Sequence, residues 1–296
     1  MIDRRTFLRG LLGIPLAGLA ASVYGFFVEP ALELRVQRWA IRPRGWPAGH
    51  PLRIAILSDL HLCEPYLTLA RLQQVIDRTN ALSPDITLIL GDIPASSKYR
   101  IRAIPPEESC PLLAGLAAPL GVHAVLGNHD WWQDLAAQSR RAGPTRTGLA
   151  LERAGIPVLQ NQAVKIGQGP GAFWLAGLGD QIAFPDGQGG WTGVDDLPAT
   201  LAQVTDDAPV ILMAHEPDIF PHVPERVALT LSGHTHGGQV RLFGWSPVVP
   251  SNYGNRYAYG AVEERGHHIV ISGGIGYSGI PVRFGVPPEI TVVDLS

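Results

Sequence analysis

Gly127-Asn128-His129-Asp130 stands directly behind the apolar run Val122-His123-Ala124-Val125-Leu126, and the fold is read from that junction. A short apolar run that stops at glycine is the pattern of a buried strand ending abruptly, with the next side chains delivered to its carboxyl end. Open α/β sheets hold their ligands at that end. Four more runs share the design. Arg53 to Ser58 leads into Asp59 and His61, Ile86 to Leu90 into Gly91-Asp92, Val210 to Ala214 into His215, and Val227 to Ser232 into Gly233-His234-Thr235-His236. One polar tip says little, because Asp59 alone fits a turn or a helix cap, and Asn128 and Asp130 fit a turn. Five runs that all present Asp, Asn or His predict convergence on one metal centre.

Around these runs the chain has the composition of a packed protein. With 296 residues, 46% hydrophobic and 17% charged, it can bury a full core and is not a disordered chain. The net charge is −3 and the 23 Lys and Arg residues are dispersed, so no electrostatic footprint for nucleic acid is present and none is expected as a partner. Cys63 and Cys110 are too few for a disulfide framework or a thiolate zinc site. A single bridge between them stays open, as does a role for Cys63 as a small packed hydrophobe.

The amino terminus has a different character. Arg4-Arg5-Thr6-Phe7-Leu8-Arg9 precedes an uncharged stretch, Leu11 to Val28, rich in Leu, Ala and Gly. A charged head before an apolar stretch is an export signal, and the paired arginines point to the twin-arginine translocon as a partner. The other reading is an amino-terminal membrane anchor. Gly18 to Ser22 offers small residues for cleavage without a clean Ala-x-Ala site. Residues 1–30 are therefore set apart as signal or anchor, 31–52 as a tether with an edge strand near Leu32 to Ile41, and 53–296 as the functional domain. The expected location is periplasmic or membrane-anchored, facing outside the cytoplasm, with membrane contact.

Along the domain, apolar spacing predicts a helix over Leu67 to Leu82, closed by Ser83-Pro84. Strand, helix, strand in that order predicts a parallel pair. The segment from Asp92 to Pro106 reads as a loop beside the site, whose Ser96, Ser97, Lys98, Tyr99 and Arg100 either meet an anionic substrate or are solvated. Ser109 to Ala118 reads as a short helix. Ala163 to Ile166 and Phe173 to Leu178 flank a Gly-rich turn and open a second sheet. Asp180 to Trp191 reads as a mobile loop, and Leu197 to Val204 as a helix. Strands resume at Val210 and end with His267 to Ser272 and Ile290 to Leu295. The fold class is α/β, an α+β sandwich of two mixed sheets flanked by helices.

Carboxylate, imidazole and amide donors together suit Zn, Mn or Fe. Asp59, His61, Asp92, Asn128, His215, His234 and His236 are too many for one tetrahedral ion, so two ions are the economical reading. Asp92 can bridge them at a separation of roughly 3.5 to 4 Å. Two such ions suit phosphate-ester hydrolysis. His129 is placed to protonate the leaving alkoxide, and Asp130 to orient and charge His129. Arg283 either contacts a phosphate or pairs with a surface carboxylate.

Asp59-x-His61, Gly91-Asp92, Gly127-Asn128-His129-Asp130, His215 and Gly233-His234-Thr235-His236 resemble the ordered blocks of the calcineurin-like metallophosphoesterase superfamily. That resemblance implies a two-sheet core with a dinuclear centre at the strand ends. Asp59, His61 and His236 would hold one ion, Asn128, His215 and His234 the other, with Asp92 between them and His129 as proton donor. Gly237-Gly238-Gln239-Val240 and the tail from Ser272 to Ile290 are similar to an exported bacterial phosphodiesterase branch of that superfamily. Ile93-Pro94-Ala95-Ser96 departs from it, since relatives usually carry a second acidic residue there. The expected substrate is a phosphate ester, lipid-linked or part of the cell envelope. Alternatives are a pyrophosphatase acting on a nucleotide-activated lipid precursor such as UDP-diacylglucosamine, and a scaffold without catalysis.

Overall fold

A computed structural model describes residues 16–296. The twin-arginine stretch Arg4 to Arg9 lies outside the described residues. The chain enters through a helix over residues 16–32, which carries a wider turn at Tyr24–Val28. Among the described residues no helix is long and apolar enough to cross a membrane.

The strands follow in order. They are β1 (Arg35–Ile41), β2 (Leu52–Leu57), β3 (Cys63–Glu64), β4 (Ile86–Ile89), β5 (Arg102–Ala103) and β6 (Val122–Ala124), then β7 (Gln162–Ile166) and β8 (Phe173–Gly177). After them come β9 (Phe184–Pro185), β10 (Trp191–Thr192), β11 (Val210–Met213), β12 (Val227–Ser232), β13 (Gly260–Glu264), β14 (His267–Ile271) and β15 (Glu289–Leu295). The first sheet has the order β1-β15-β2-β4-β6 and the second β13-β14-β12-β11-β8-β7. Both are mixed. β2, β4 and β6 run parallel while β15 opposes β2, and β8, β11, β12 and β14 run parallel between antiparallel edges.

Alternation along the strands builds the layers, because successive side chains leave opposite faces. Ile54, Ile56 and Leu88 of the first sheet meet Leu175, Ile211, Met213, Leu229 and Leu231 of the second in a core between the sheets. The neighbours Leu57 and Ile89 face the other way, onto the helix Leu69–Ala81 and the helix Pro106–Leu113. Trp174, Ala176, Val210 and Leu212 pack outward against the helix Leu197–Leu201 and the turn near Ile219. Both sheets are thus covered on both faces, as the near-continuous apolar strands require.

Several boundaries differ from the sequence reading. The helix expected from Ser109 starts at Pro106, because proline is favoured in a first turn and Glu107 and Glu108 complement its positive end. The stretch Asp180 to Trp191 is not one open loop, since Phe184 and Pro185 pair with Thr192 and Trp191. β15 returns to the first sheet and lies between β1 and β2. Cys63 and Cys110 are both buried and unbridged.

Candidate metal centre

The carboxyl ends of β2, β4, β6, β11 and β12 deliver the polar residues to one place. Asp59, His61 and His236 offer ligand atoms within 4.8 Å of one another, as do His61, Asp92 and His129, and again Asp92, His215 and His234. Asp59, His61, Asp92, His234 and His236 all adopt positive φ, between 42° and 66°. That region is sparsely populated for residues other than glycine and persists only where the surroundings enforce it. A plain turn would not place five such residues around one point.

Glycine is required where the strand ends crowd together. A Cβ on Gly127 would lie within 2.6 Å of the Asp92 carboxylate and the His215 ring, and one on Gly233 would collide with Ser58 and Asp59. Asp59 is fixed by Ser58, whose Oγ donates to Oδ2 at 2.6 Å, and by the His234 backbone N–H at 3.0 Å.

Asp92 is the shared group. Its Oδ2 is 3.2 Å from His215 Nε2 and 3.6 Å from His61 Nε2, and its Oδ1 accepts from the His129 backbone N–H at 2.7 Å. His234 Nδ1 and Asn128 Oδ1 are 2.9 Å apart. Burial alone would raise the Asp92 carboxyl, but His215, His129 and His61 outweigh it and hold it well below the usual range. Burial and the nearby Asp92 raise Asp59.

The donor set fits cations. His215 donates from Nδ1 to Leu90 O at 2.5 Å, so in the neutral ring the Nε2 lone pair faces the Asp92 carboxylate 3.2 Å away. Two acceptors so close in a buried site repel unless a proton or a metal lies between them. Burial pulls His215 down, yet Asp92, Asp59 and Glu216 outweigh it and hold it well above its ordinary value. The site therefore attracts positive charge.

Asp130 does not take the role expected for it. Its carboxylate accepts from the backbone N–H groups of Gly127 and Asp92 at 2.8 Å and of Ile93 at 3.2 Å, and so staples the tetrad to the Asp92 loop. Residues 128–132 form a short helix, in which neighbours i and i+1 point apart. His129 instead stands edge-on to His61 and Trp132, with Gln133 Nε2 at 3.4 Å from its Nδ1. Burial pushes its imidazole down to about 3, opposed by Asp92.

Two features escaped the sequence reading. Arg283, expected at a phosphate or a surface carboxylate, is fully buried. Its guanidinium donates to the carbonyls of Gly276 and Val286, and its Nη2 lies 3.1 Å from His236 Nδ1. On the far side, Asp180 and Glu216 form a buried acidic pair behind His215, and burial together with Glu216 holds the Asp180 carboxyl well above its usual range. Ser96 and Ser97 pair with Ser278 Oγ and Gly279 O rather than facing the site. Trp131 packs on Phe184, while Trp132 stacks on Trp191 with ring centroids 4.2 Å apart. A cavity of about 280 Å³ opens over Asp92, Asn128, His129, His234 and His236.

A two-sheet sandwich with clustered Asp, Asn and His at its strand ends defines a metal-dependent hydrolase of phosphate esters. The chain belongs to the calcineurin-like phosphoesterases, whose family model matches residues 52–238. It is 32% identical to the uncharacterized metallophosphoesterase YkuE of Bacillus subtilis, over 99% of this chain and 98% of that protein. It is 30% identical to phosphodiesterase YaeI of Escherichia coli over the full length of both. It is also 30% identical to a metallophosphoesterase of Aquifex aeolicus, over 88% of this chain and 92% of that one.

Proposed function

We propose that this protein is a two-metal phosphodiesterase that works outside the cytoplasm, exported by the twin-arginine route and held at the membrane face. One observation carries the two-metal reading: the Asp92 carboxylate belongs to two ligand clusters at once, 3.2 Å from His215 and 3.6 Å from His61. Asp59, His61 and His236 would hold one ion, Asn128, His215 and His234 the other, and Asp92 would serve both. The mixed nitrogen and oxygen donors suit Zn, Mn or Fe. When bound, such ions supply Lewis acidity and a water of lowered pKa. The likeness to YaeI supports a diester substrate, and the Arg4-Arg5 head supports export.

His129 is the proton donor in this reading. At about 3 its imidazole is neutral in the free protein at neutral pH and lacks the second proton, so the negative charge of a bound phosphate must raise it before it can act as a charged acid. Gln133 and Trp132 keep the ring turned toward the cavity. His129→Ala is expected to retain its metal while losing roughly 100-fold or more in rate on esters with poor leaving groups, and much less on activated aryl esters. Equal losses on both, measured on metal-loaded protein, would remove the proton-donor role.

A further inference from the structure

The chain leaves His236 through Gly237 and Gly238. Gln239 and Arg241 pair with the segment after Ile280: Phe284 N donates to Gln239 O, Arg241 N to Phe284 O, and Gln239 Nε2 to Ile280 O. Beyond them Leu242 and Trp245 exchange backbone hydrogen bonds of 2.8 and 2.9 Å around a two-residue turn. Phe243 sits in that turn with φ 52° beside Gly244 with φ 80°. Such a turn favours Asn or Gly at its first position. Phenylalanine is strained there and gains nothing by burial, because it is 107% exposed. Leu242, Trp245 and Val248 are exposed as well, and Val248 lines the cavity over His129 and His236.

A second loop stands beside this one. Ser96 and Ser97 tie residues 96–101 to Ser278 and Gly279, next to exposed Ile280. Tyr99 and Ile101 point outward, and Lys98 and Arg100 have no carboxylate partner among the described residues. Segments 96–101, 239–250 and 278–284 contain no Asp or Glu. The entering helix is anchored to the same ribbon, since Arg283 N donates to Gly25 O and Tyr24 packs edge-on against Phe284. Its Leu16, Leu19 and Phe27 are also exposed. The nearby carboxylates are occupied, Glu33 by the Tyr24 hydroxyl and Glu64 and Glu108 by Arg102. Separate apolar tips with unpaired cations and no anions within the three segments match an anionic lipid interface, into which aromatic and aliphatic groups insert while Lys and Arg meet headgroups.

We infer that these three segments form a docking face for an anionic phospholipid surface, and that the phosphoester enters the cavity from that surface. The second half rests on the phosphodiesterase reading, and the first does not. Cys63 and Cys110 are buried, so in the full chain Phe243→Cys accepts an environment-sensitive fluorophore selectively. With phosphatidylglycerol vesicles the label is expected to shift to the blue, less so with phosphatidylcholine or in high salt. A label at Glu225→Cys, beside the opposite ends of the strands, is expected to stay unchanged. No response at 243, an equal response at both positions, or a vesicle-independent dimer formed through the hairpin would overturn the docking face.

Turnover tests the delivery. The double variant Phe243→Ser, Trp245→Ser is expected to lose at least tenfold on a vesicle-borne phosphodiester and nothing on a soluble aryl phosphodiester. Unchanged turnover on vesicles would overturn delivery from the lipid surface. If neither protein hydrolyses the soluble ester, the enzymatic reading fails, while the fluorescence result still decides the docking.

Discussion

The two halves of the ligand cluster differ in what stands behind them. His215 is backed by Asp180 and Glu216, and its Nε2 faces the Asp92 carboxylate at 3.2 Å. His236 is backed by the Arg283 guanidinium, a group that can only donate, so its Nδ1 must accept. In a neutral ring the proton then sits on Nε2, which lies 3.1 Å from His61 Nε2, while His61 Nδ1 faces Pro94 O at 3.1 Å. Burial, His61 and Arg283 together hold His236 well below its ordinary value. The two halves are therefore unequal hosts for a cation. The His215 half is the more open, since a cation there displaces only the proton held between Nε2 and Asp92, whereas the His236 half must move its proton from Nε2 to Nδ1 and loosen its contact with Arg283.

Asp92→Asn would erase the comparison by removing the group common to both halves. Loss of both ions and of at least ~100-fold in hydrolysis is expected, the upper range found when even an outer partner of a ligand is lost. Metal content by mass spectrometry beside turnover checks it, and retention of both ions would break the shared-carboxylate reading. Arg283→Met tests the guarded half. It leaves the Gly276 and Val286 carbonyls without donors and is expected to destabilise the fold by about 2–4 kcal/mol, read in a denaturant titration. The weaker of two ion affinities should rise severalfold at the same time, because the opposing cation is gone.

Glu216→Gln tests the open half. One ion is expected to bind roughly tenfold more weakly while the other is unaffected, which two-site calorimetry resolves. An equal change at both would show that the halves are coupled rather than distinct. The smallest effect belongs to a pair far from either half. Lys165 holds the exposed Asp206 carboxyl at about 2, below its unfolded value. A lowered carboxyl contributes stability above pH ~4 and loses it as pH falls toward 2. Lys165→Gln is expected to flatten acid unfolding slightly in that window, leaving metal content untouched.

What the sequence disclosed follows the range of the forces involved. Asp59, His61, Asp92, Asn128, His215 and the His234-Thr235-His236 pair each lie just past their own apolar strand, so local pattern marks them. The layers were legible for the same reason, because period-two strands buried on both faces read as continuous apolar runs. Arg283 was not. It sits among prolines and glycines that suggest surface, and its burial comes from carbonyls and a histidine 47 residues upstream. Asp180 was hidden by the glycines that follow it, since only contact with Glu216 makes it a buried acid. Asp130 misled by adjacency: standing next to His129 in the chain, it faces the other way once the segment coils.

β15 has a consequence for the order of assembly. Asp294 on that strand grips Arg53 across 241 residues, and the strand itself lies between β1 and β2. A nascent chain therefore carries Asp59, His61, Asp92 and Asn128 long before it owns the seam that holds β2 in place. Cation capture has to be a late event in the life of each molecule, one that waits for residues 289–295 to arrive.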